Sequence, residues 1–277
     1  MNYSPKLMKE SLNNQNFSFK KKFGQNFIVD ENIIANIVSK ANIDSNTFVI
    51  EIGPGAGSLT YLMAKKAKGV LCYEIDTTLK AVLEENLKNY TNVDIIFKDF
   101  LKSNVLDDLK NYEFDKLYVV ANLPYYITTP IITKIIEDKI PVDKMVVMVQ
   151  KEVGNRFKAT LGTKDYSSLS IYLNYYFNVS KLMDVSRNVF LPKPNVDSII
   201  VEFDKKKKTL NVKNEEIFFK LVRDSFKQKR KTLKNNLKNY DLNKIEDILK
   251  KYNMDLNIRA EQVPDYIFAD ISNEIGE

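Results

Sequence analysis

Asn122, Pro124 and Tyr125 stand in VVANLPYYITTP, Val119 to Pro130, where an apolar run ends on an amide, a proline and two aromatic rings. That set suits an aromatic amine. The exocyclic amine of adenine is a poor nucleophile because its lone pair is delocalised into the ring, so an enzyme that alkylates it must offer acceptors to its N–H bonds. Asn122 supplies a side-chain oxygen and the Leu123 or Pro124 carbonyl a second, while Pro124 stiffens the turn and brings no competing N–H. Tyr125, with Tyr126 beside it, offers a ring on which an extruded base can stack. The chemistry within reach is in-line transfer of a methyl group from a sulfonium, driven by proximity and charge placement. The product amine can lose its proton to water, so no histidine base is required.

A cofactor for that transfer needs its own pocket. EIGPGAGSLT, Glu51 to Thr60, reads as a strand, a glycine loop and a helix, with Gly53, Gly55 and Gly57 in a GxGxG spacing. The dinucleotide fingerprint GxGxxG places its third glycine one residue later, and a glycine loop alone decides little. Glu74 ends the next strand, where a carboxylate can accept from ribose hydroxyls, which leaves any adenosine-bearing cofactor open. Asp99 closes VDIIFKD and can accept from an adenine amine, although it also suits a helix cap.

Composition removes whole classes. The chain has no histidine and a single cysteine, Cys72, which excludes disulfides, Cys/His zinc sites and histidine-dependent triads. Cytosine carbon methylation needs a cysteine nucleophile, and Cys72 sits mid-strand in VLCYEID as a small hydrophobe. Neither a bilayer-length apolar run nor a secretory leader is evident, so the expected location is cytoplasmic, with no membrane partner and no metal. The net charge of +6 is uneven: Lys205 to Lys251 carries 16 Lys or Arg against 6 Asp or Glu, leaving the rest of the chain acidic. A basic appendage on an acidic body fits a polyanion, although a solvated lysine-rich surface explains the charge equally well.

These residues must be placed by a scaffold, and 277 residues allow one large core and a smaller unit. FVIEIG, VLCYEID, VDIIFKD, KLYVVAN and KMVVMVQ read as strands, and SLTYLMAKKAK, TTLKAVLEENLKNY and TPIITKIIEDK as helices. The alternation predicts an α/β fold: a mostly parallel, Rossmann-like sheet with helices on both faces. SIYLNYYFNV and VDSIIVEF read as two further strands, pairing antiparallel at one edge. The expected organisation is a flexible basic segment over 1–22, a cofactor-binding domain over 23–204 and a helical domain over 209–277, joined by the lysine run 205–208.

With those residues in view, the chain resembles the KsgA-type ribosomal RNA adenine dimethylases from KKKFGQNFIVDENII at Lys20 to RAEQVPDYIF near the end. It carries EIGPGAGSLT, YEID, KDF, NLPYYITTP, MVQKEVGNRF, VFLPKPNVDS and FKQKRKTLKNNL in that family's order. The resemblance implies a class I methyltransferase fold using S-adenosyl-L-methionine and releasing S-adenosyl-L-homocysteine. It implies cofactor contacts from Asn26, Ile28, Gly53, Gly55, Glu74, Ile75, Asp99, Phe100 and Asn122. The catalytic residues would be Asn122, Leu123, Pro124 and Tyr125, with Phe190 stacking on the target adenine opposite Tyr125; composition alone reads Phe190 as core. It further implies dimethylation of the N6 amines of two adjacent adenosines near the 3′ end of small-subunit (16S) rRNA in the pre-30S particle, during late ribosome biogenesis, by a monomer. Tyr126 and Thr128 depart from residues common in the family, which bears on the relative rates of first and second transfer.

In FKLVRDSFKQKRKTLKNNL, Phe219, Val222, Phe226 and Leu233 fall on an apolar face, while Arg223, Lys227, Lys229, Arg230, Lys231 and Lys234 gather elsewhere as expected RNA phosphate contacts. Large-subunit methylases of the macrolide-resistance type share the NLPY region and glycine loop but generally lack FKQKRKTLKNNL and RAEQ. A non-catalytic assembly factor or RNA-binding protein on the same fold is the other alternative, and a dinucleotide oxidoreductase is disfavoured by the glycine spacing.

Overall fold

The computed structural model describes Glu10, Phe17, Phe19, Lys20 and residues 23–276. Within it the chain separates into two compact units, 1–154 with 180–205, and 155–179 with 206–277.

The first unit is built on a seven-stranded sheet. Its strands are β2 (Thr47–Ile52), β3 (Gly69–Tyr73), β4 (Val93–Ile96), β5 (Lys116–Asn122), β6 (Lys144–Gln150), β7 (Phe177–Val185) and β9 (Ser198–Lys205), in the order β4-β3-β2-β5-β6-β9-β7. A separate ribbon pairs β1 (Phe27–Ile28) antiparallel with β8 (Phe190–Leu191). The first five strands of the order run parallel, and β9 returns antiparallel along β6. Every residue of β2 and β3 is buried, as expected for strands covered on both faces and rich in Val, Ile and Leu. Val49, Val70, Cys72, Val120, Val146, Met148 and Ile200 share one face. Against it pack Ile34, Ile37, Val38 and Ala41 of α1 (Glu31–Ala41) and Leu59 and Met63 of α2 (Ser58–Ala64). The i, i+3, i+4, i+7 spacing in α1 places its apolar stripe on the sheet. Asp30 caps that helix by accepting from Asn32 and Ile33 N–H, and Asn42 ends it in the left-handed region at φ 54°.

Strand order reverses at β2. From there the chain steps outward through β3 and β4, then returns to the other side for β5 and β6. Open α/β sheets bind ligands at such a reversal, outside the carboxyl ends of the strands, and here those ends are Gly53 after β2 and Asn122 at the end of β5. The remaining helices of this region, α3 (Lys80–Leu87), α4 (Val105–Leu109), α5 (Thr128–Glu137) and α6 (Lys151–Phe157), follow successive strands.

Two expectations are corrected, and a third lies mostly beyond what the structure describes. SIYLNYYFNV is not one strand: α7 (Ser168–Tyr176) takes its first part and β7 begins only at Phe177. Aromatic and β-branched residues raise strand propensity, but burial of Ile171, Tyr172, Leu173 and Tyr175 around the helix overrides it. Residues 155–179 fall in the second unit, where the sequence suggests the cofactor domain. The expected flexible segment 1–22 lies mostly outside the described residues, but Phe17 and Phe19 pack on Phe27, at ring distances of 6.0 and 5.3 Å.

The second unit continues with α8 (Glu215–Ser225), α9 (Leu233–Asn236), α10 (Leu242–Lys251) and α11 (Asp265–Ile275). Phe218, Phe219, Leu221 and Val222 of α8 are buried, and Tyr172 of α7 stacks on Phe219 at 4.0 Å. Residues 226–232 form a turn and not a continuous helix, pinned where Asn236 Nδ2 donates to the Ser225 and Gln228 carbonyls. FKQKRKTLKNNL and RAEQ meet in space through a bridge between Thr232 and Arg259 and through Leu233 N–H donating to the Ile258 carbonyl at 2.9 Å.

Candidate active site

The strand tips of the first unit line a cavity that is partly open to solvent. Its floor is the glycine loop. Gly55 has φ +60°, and a Cβ there would lie 2.8 Å from the Phe27 ring, so both backbone angle and space demand glycine. Beneath the loop, Glu51 is buried and accepts from Thr60 Oγ1 at 2.5 Å, with Cys72 Sγ 3.8 Å away. Burial pushes the Glu51 carboxyl up to about 8, so at neutral pH it is largely uncharged.

Glu74 follows β3 at the wall of the cavity. It is 5% exposed and accepts from Gly55 N–H at 3.2 Å and Asp76 N–H at 2.8 Å. Burial pushes its carboxyl up to about 7 against those two donors. Asp99 takes the capping role open to it from sequence and also lies at the cavity. Its carboxylate caps the short 3₁₀ turn Phe100–Lys102 by accepting from Leu101 N–H at 3.0 Å. Ile75 and Phe100 add apolar lining to the cavity, with Phe100 held edge-on to Tyr73 at 5.3 Å.

Asn122 forms the opposite wall. Its Nδ2 donates to the Asn26 carbonyl at 2.8 Å, and a carbonyl can only accept, so the amide has one possible orientation. Among the described residues its Oδ1 is then buried with no hydrogen-bond partner. An orphaned buried acceptor is costly, on the order of 1–3 kcal/mol, and marks a position that a ligand's donor would satisfy. Asn26 is itself turned, its Nδ2 donating to the Gly24 carbonyl at 3.1 Å.

The turn after β5 distinguishes the Leu123 and Pro124 carbonyls. The Pro124 carbonyl already accepts from Ile127 N–H at 3.2 Å and Thr128 Oγ1 at 3.0 Å, which uses both lone pairs. No such bonds engage the Leu123 carbonyl among the described residues. Tyr125 lines the cavity and is braced from β9, its hydroxyl 2.6 Å from Ser198 Oγ. Tyr126 is 54% exposed, and its ring packs so closely on Gly24 that a Cβ there would lie 3.1 Å away.

Asn26, Gly53, Gly55, Glu74, Ile75, Asp99, Phe100, Asn122, Leu123, Pro124 and Tyr125 therefore share one cavity. Ile28 and Phe190 do not: they are register partners in the β1–β8 ribbon, 5% and 4% exposed, and both belong to the core under the sheet. Phe190 is packed in that core, so of the two rings expected to stack on a base only Tyr125 lines the cavity. Gln25, Phe27 and Lys98 also line the cavity, beyond the residues expected from sequence, and Ser198 braces it. For Gln25 and Ser198 the signal is their place in KKKFGQNF and VFLPKPNVDS, but side-chain aim is not written in a motif.

In the second unit Arg223, Lys227, Lys229, Arg230, Lys231 and Lys234 are all exposed. Arg223 donates to the Tyr172 hydroxyl and Lys229 to the Lys164 carbonyl. Lys227 to Lys231 lie in the turn between α8 and α9 and not on a helix face.

The family model for ribosomal RNA adenine dimethylase matches residues 16–277. The chain belongs to the ribosomal RNA adenine dimethylase family. It is accordingly a methyltransferase. A ribosomal RNA small subunit methyltransferase A from Staphylococcus aureus (strain bovine RF122 / ET3-1) is 50% identical over 240 residues, covering 86% of this chain and 81% of the relative. The crystal structure of a dimethyladenosine transferase from Plasmodium falciparum superposes with a TM-score of 0.72 at 28% identity, covering 88% of this chain and 95% of that one. The 23S rRNA methyltransferase ErmE shares the fold, with a TM-score of 0.68 at 24% identity over 91% of this chain and all of the other.

Proposed function

We propose that this dimethylase-family chain transfers methyl groups from S-adenosyl-L-methionine to the N6 amines of two adjacent adenosines near the 3′ end of small-subunit rRNA, in the late pre-30S particle. The observation that carries this reading is the buried, unpartnered Oδ1 of Asn122, with the Leu123 carbonyl beside it as the free member of the turn's acceptors. The 50% identity to a relative named for the small subunit favours that rRNA over the large one.

The cavity fits the donor by its own chemistry. Two carboxylates, Glu74 and Asp99, face an apolar slot floored by a glycine backbone, which suits ribose hydroxyls, an adenine amine and an adenine ring. When bound, the sulfonium supplies an electrophilic methyl carbon. The protein does the rest by placement. Asn122 Oδ1 and the Leu123 carbonyl accept the two N–H bonds of the amine, which favours the pyramidal geometry of attack over conjugation with the ring. Tyr125, fixed by Ser198, fronts one face of the base. No side chain is needed as a base, in keeping with a chain that lacks histidine. The exposed cations Arg223, Lys227, Lys229, Arg230, Lys231 and Lys234 supply phosphate contacts that position the RNA without reading its sequence.

The test is methyl transfer from labelled S-adenosylmethionine to small subunits lacking these methyl groups, with modified positions mapped, for the intact protein and for Asn122→Ala. Transfer to the paired adenosines, lost in the variant, is the expected result. Modification of large-subunit rRNA in its place, or transfer undiminished in the variant, overturns the reading.

A further inference from the structure

The orientation of Asn122 depends on the Asn26 carbonyl, which raises the question of what holds residues 24–26. Asp76 answers it. This carboxylate, two residues beyond Glu74, is 2% exposed. Oδ1 accepts from Lys20 Nζ at 2.6 Å and from Thr78 N–H and Oγ1 at 3.1 and 2.6 Å, while Oδ2 accepts from Gln25 Nε2 at 2.8 Å. The Gln25 amide is fixed in turn, because its Oε1 accepts the Lys20 backbone N–H at 2.7 Å. Gln25 and Asn26 are consecutive, so a continuous set of bonds runs from Asp76 through Gln25 to the Asn26 carbonyl and on to Asn122 Nδ2.

We propose that Asp76 is a positioning residue for methyl transfer: with Lys20 and Gln25 it clamps residues 24–26 so that the Asn26 carbonyl turns the Asn122 oxygen toward the substrate amine. This deepens the proposed function and rests on its reading of Asn122. The clamp also ties the cofactor wall to the catalytic one. Asp76 donates its own N–H to Glu74 Oε1 at 2.8 Å, so the residue that fixes the cofactor carboxylate through its backbone fixes the acceptor amide through its side chain. Burial would by itself raise the Asp76 carboxyl, but its bonds from Lys20, Thr78 and Gln25 outweigh it and hold the group below its ordinary value, so it stays charged through the neutral range.

The donor and acceptor pattern permits a reciprocal exchange. Asp76→Asn sets an NH₂ against the Gln25 NH₂, and Gln25→Glu sets a carboxylate against the Asp76 carboxylate. Made together, they reverse the bond: an amide on residue 76 donates to a carboxylate on residue 25, whose other oxygen still accepts from Lys20 N–H. Net charge is unchanged. The full-length protein and each variant would be assayed for turnover on undermethylated small subunits at saturating S-adenosylmethionine, and for S-adenosylhomocysteine affinity by calorimetry. Each single change should lower turnover at saturating cofactor about tenfold, and the double change should recover it to within about threefold. A clamp that served stability alone would shift the melting temperature or cofactor affinity and leave saturated turnover where it was. Turnover in Asp76→Asn within about twofold of the parent, or a double variant no better than the worse single, overturns the inference. Should Asp76→Asn fail to fold, Gln25→Leu breaks the same link without touching the buried carboxylate, and undiminished turnover there has the same force. Asn122→Ala, run alongside, separates the two ideas. If it abolishes transfer while the clamp variants do not, only the clamp is wrong; if it leaves transfer intact, the reading of the site falls first.

Discussion

The cavity at the strand tips and the basic turn of the second unit handle polar groups in opposite ways. Around Asn122, an amide, a proline carbonyl, a threonine and two carboxylates are locked by named partners, and the Asn122 side-chain oxygen is left buried without one among the described residues. Along Lys227 to Lys231 the exposed charges sit on a turn on long side chains, with Lys229 tied to the carbonyl of Lys164. The first arrangement makes each atom's direction matter, because low dielectric strengthens both what is paired and what is missing. The second makes only the sum matter, because screened cations meeting phosphates are nearly interchangeable.

Breaking the first region should therefore be drastic and local. Asn122→Ala is expected to lower methyl transfer about 100- to 1000-fold, the loss typical of a removed electrostatic partner in a transition state, with S-adenosylhomocysteine affinity changed only a few-fold by calorimetry. Breaking the second should be graded. Arg230→Glu with Lys231→Glu should weaken binding to small-subunit rRNA about tenfold or more in filter binding, and flatten the salt dependence by about 0.7 in log–log slope for each phosphate no longer neutralised. Cofactor affinity should not move; an equal loss of both would erase the contrast.

Acid–base behaviour sharpens it further. Glu74 in the free protein is pushed up to about 7, and ribose hydroxyls bond best to its charged form. Cofactor binding should tighten about tenfold as pH rises from about 6 to about 8 and then level off, with proton release on binding below pH 7 measurable from calorimetry in buffers of different ionisation enthalpy. Glu51 gives the smallest effect. Its carboxyl lies at about 8 in the fold against an ordinary 4.5, so its protonated form is favoured in the native state. That contribution is complete below about 4.5 and declines as pH rises toward 8. Glu51→Gln should gain a few degrees in melting temperature relative to the parent across that interval.

The parallel strands are readable because each is a short apolar run ending in a turn or charge, and strand tips carry Glu74, Asp99 and Asn122 into one place by topology alone. What is not readable depends on packing or on aim. Tyr172, Tyr175 and Tyr176 look like strand residues until their rings meet Phe218 and Phe219. The grouping of 155–179 with the second unit is a matter of who touches whom across a long sequence gap. Phe190 is of the right type to stack on a base, yet its pairing with Ile28 puts it in the core. Pro124 and Leu123 are equivalent on paper until Thr128 and Ile127 claim one of their carbonyls.

Asparagine at position 122 is asked to give a hydrogen at one end and receive one at the other. Aspartate is nearly the same shape and only one codon base away, but it would turn a negative oxygen onto the Asn26 carbonyl. The shortest genetic step out of catalysis thus leaves the scaffold and its cationic surface in place. On the proposed reading of those cations, a silent copy produced that way would keep its hold on RNA.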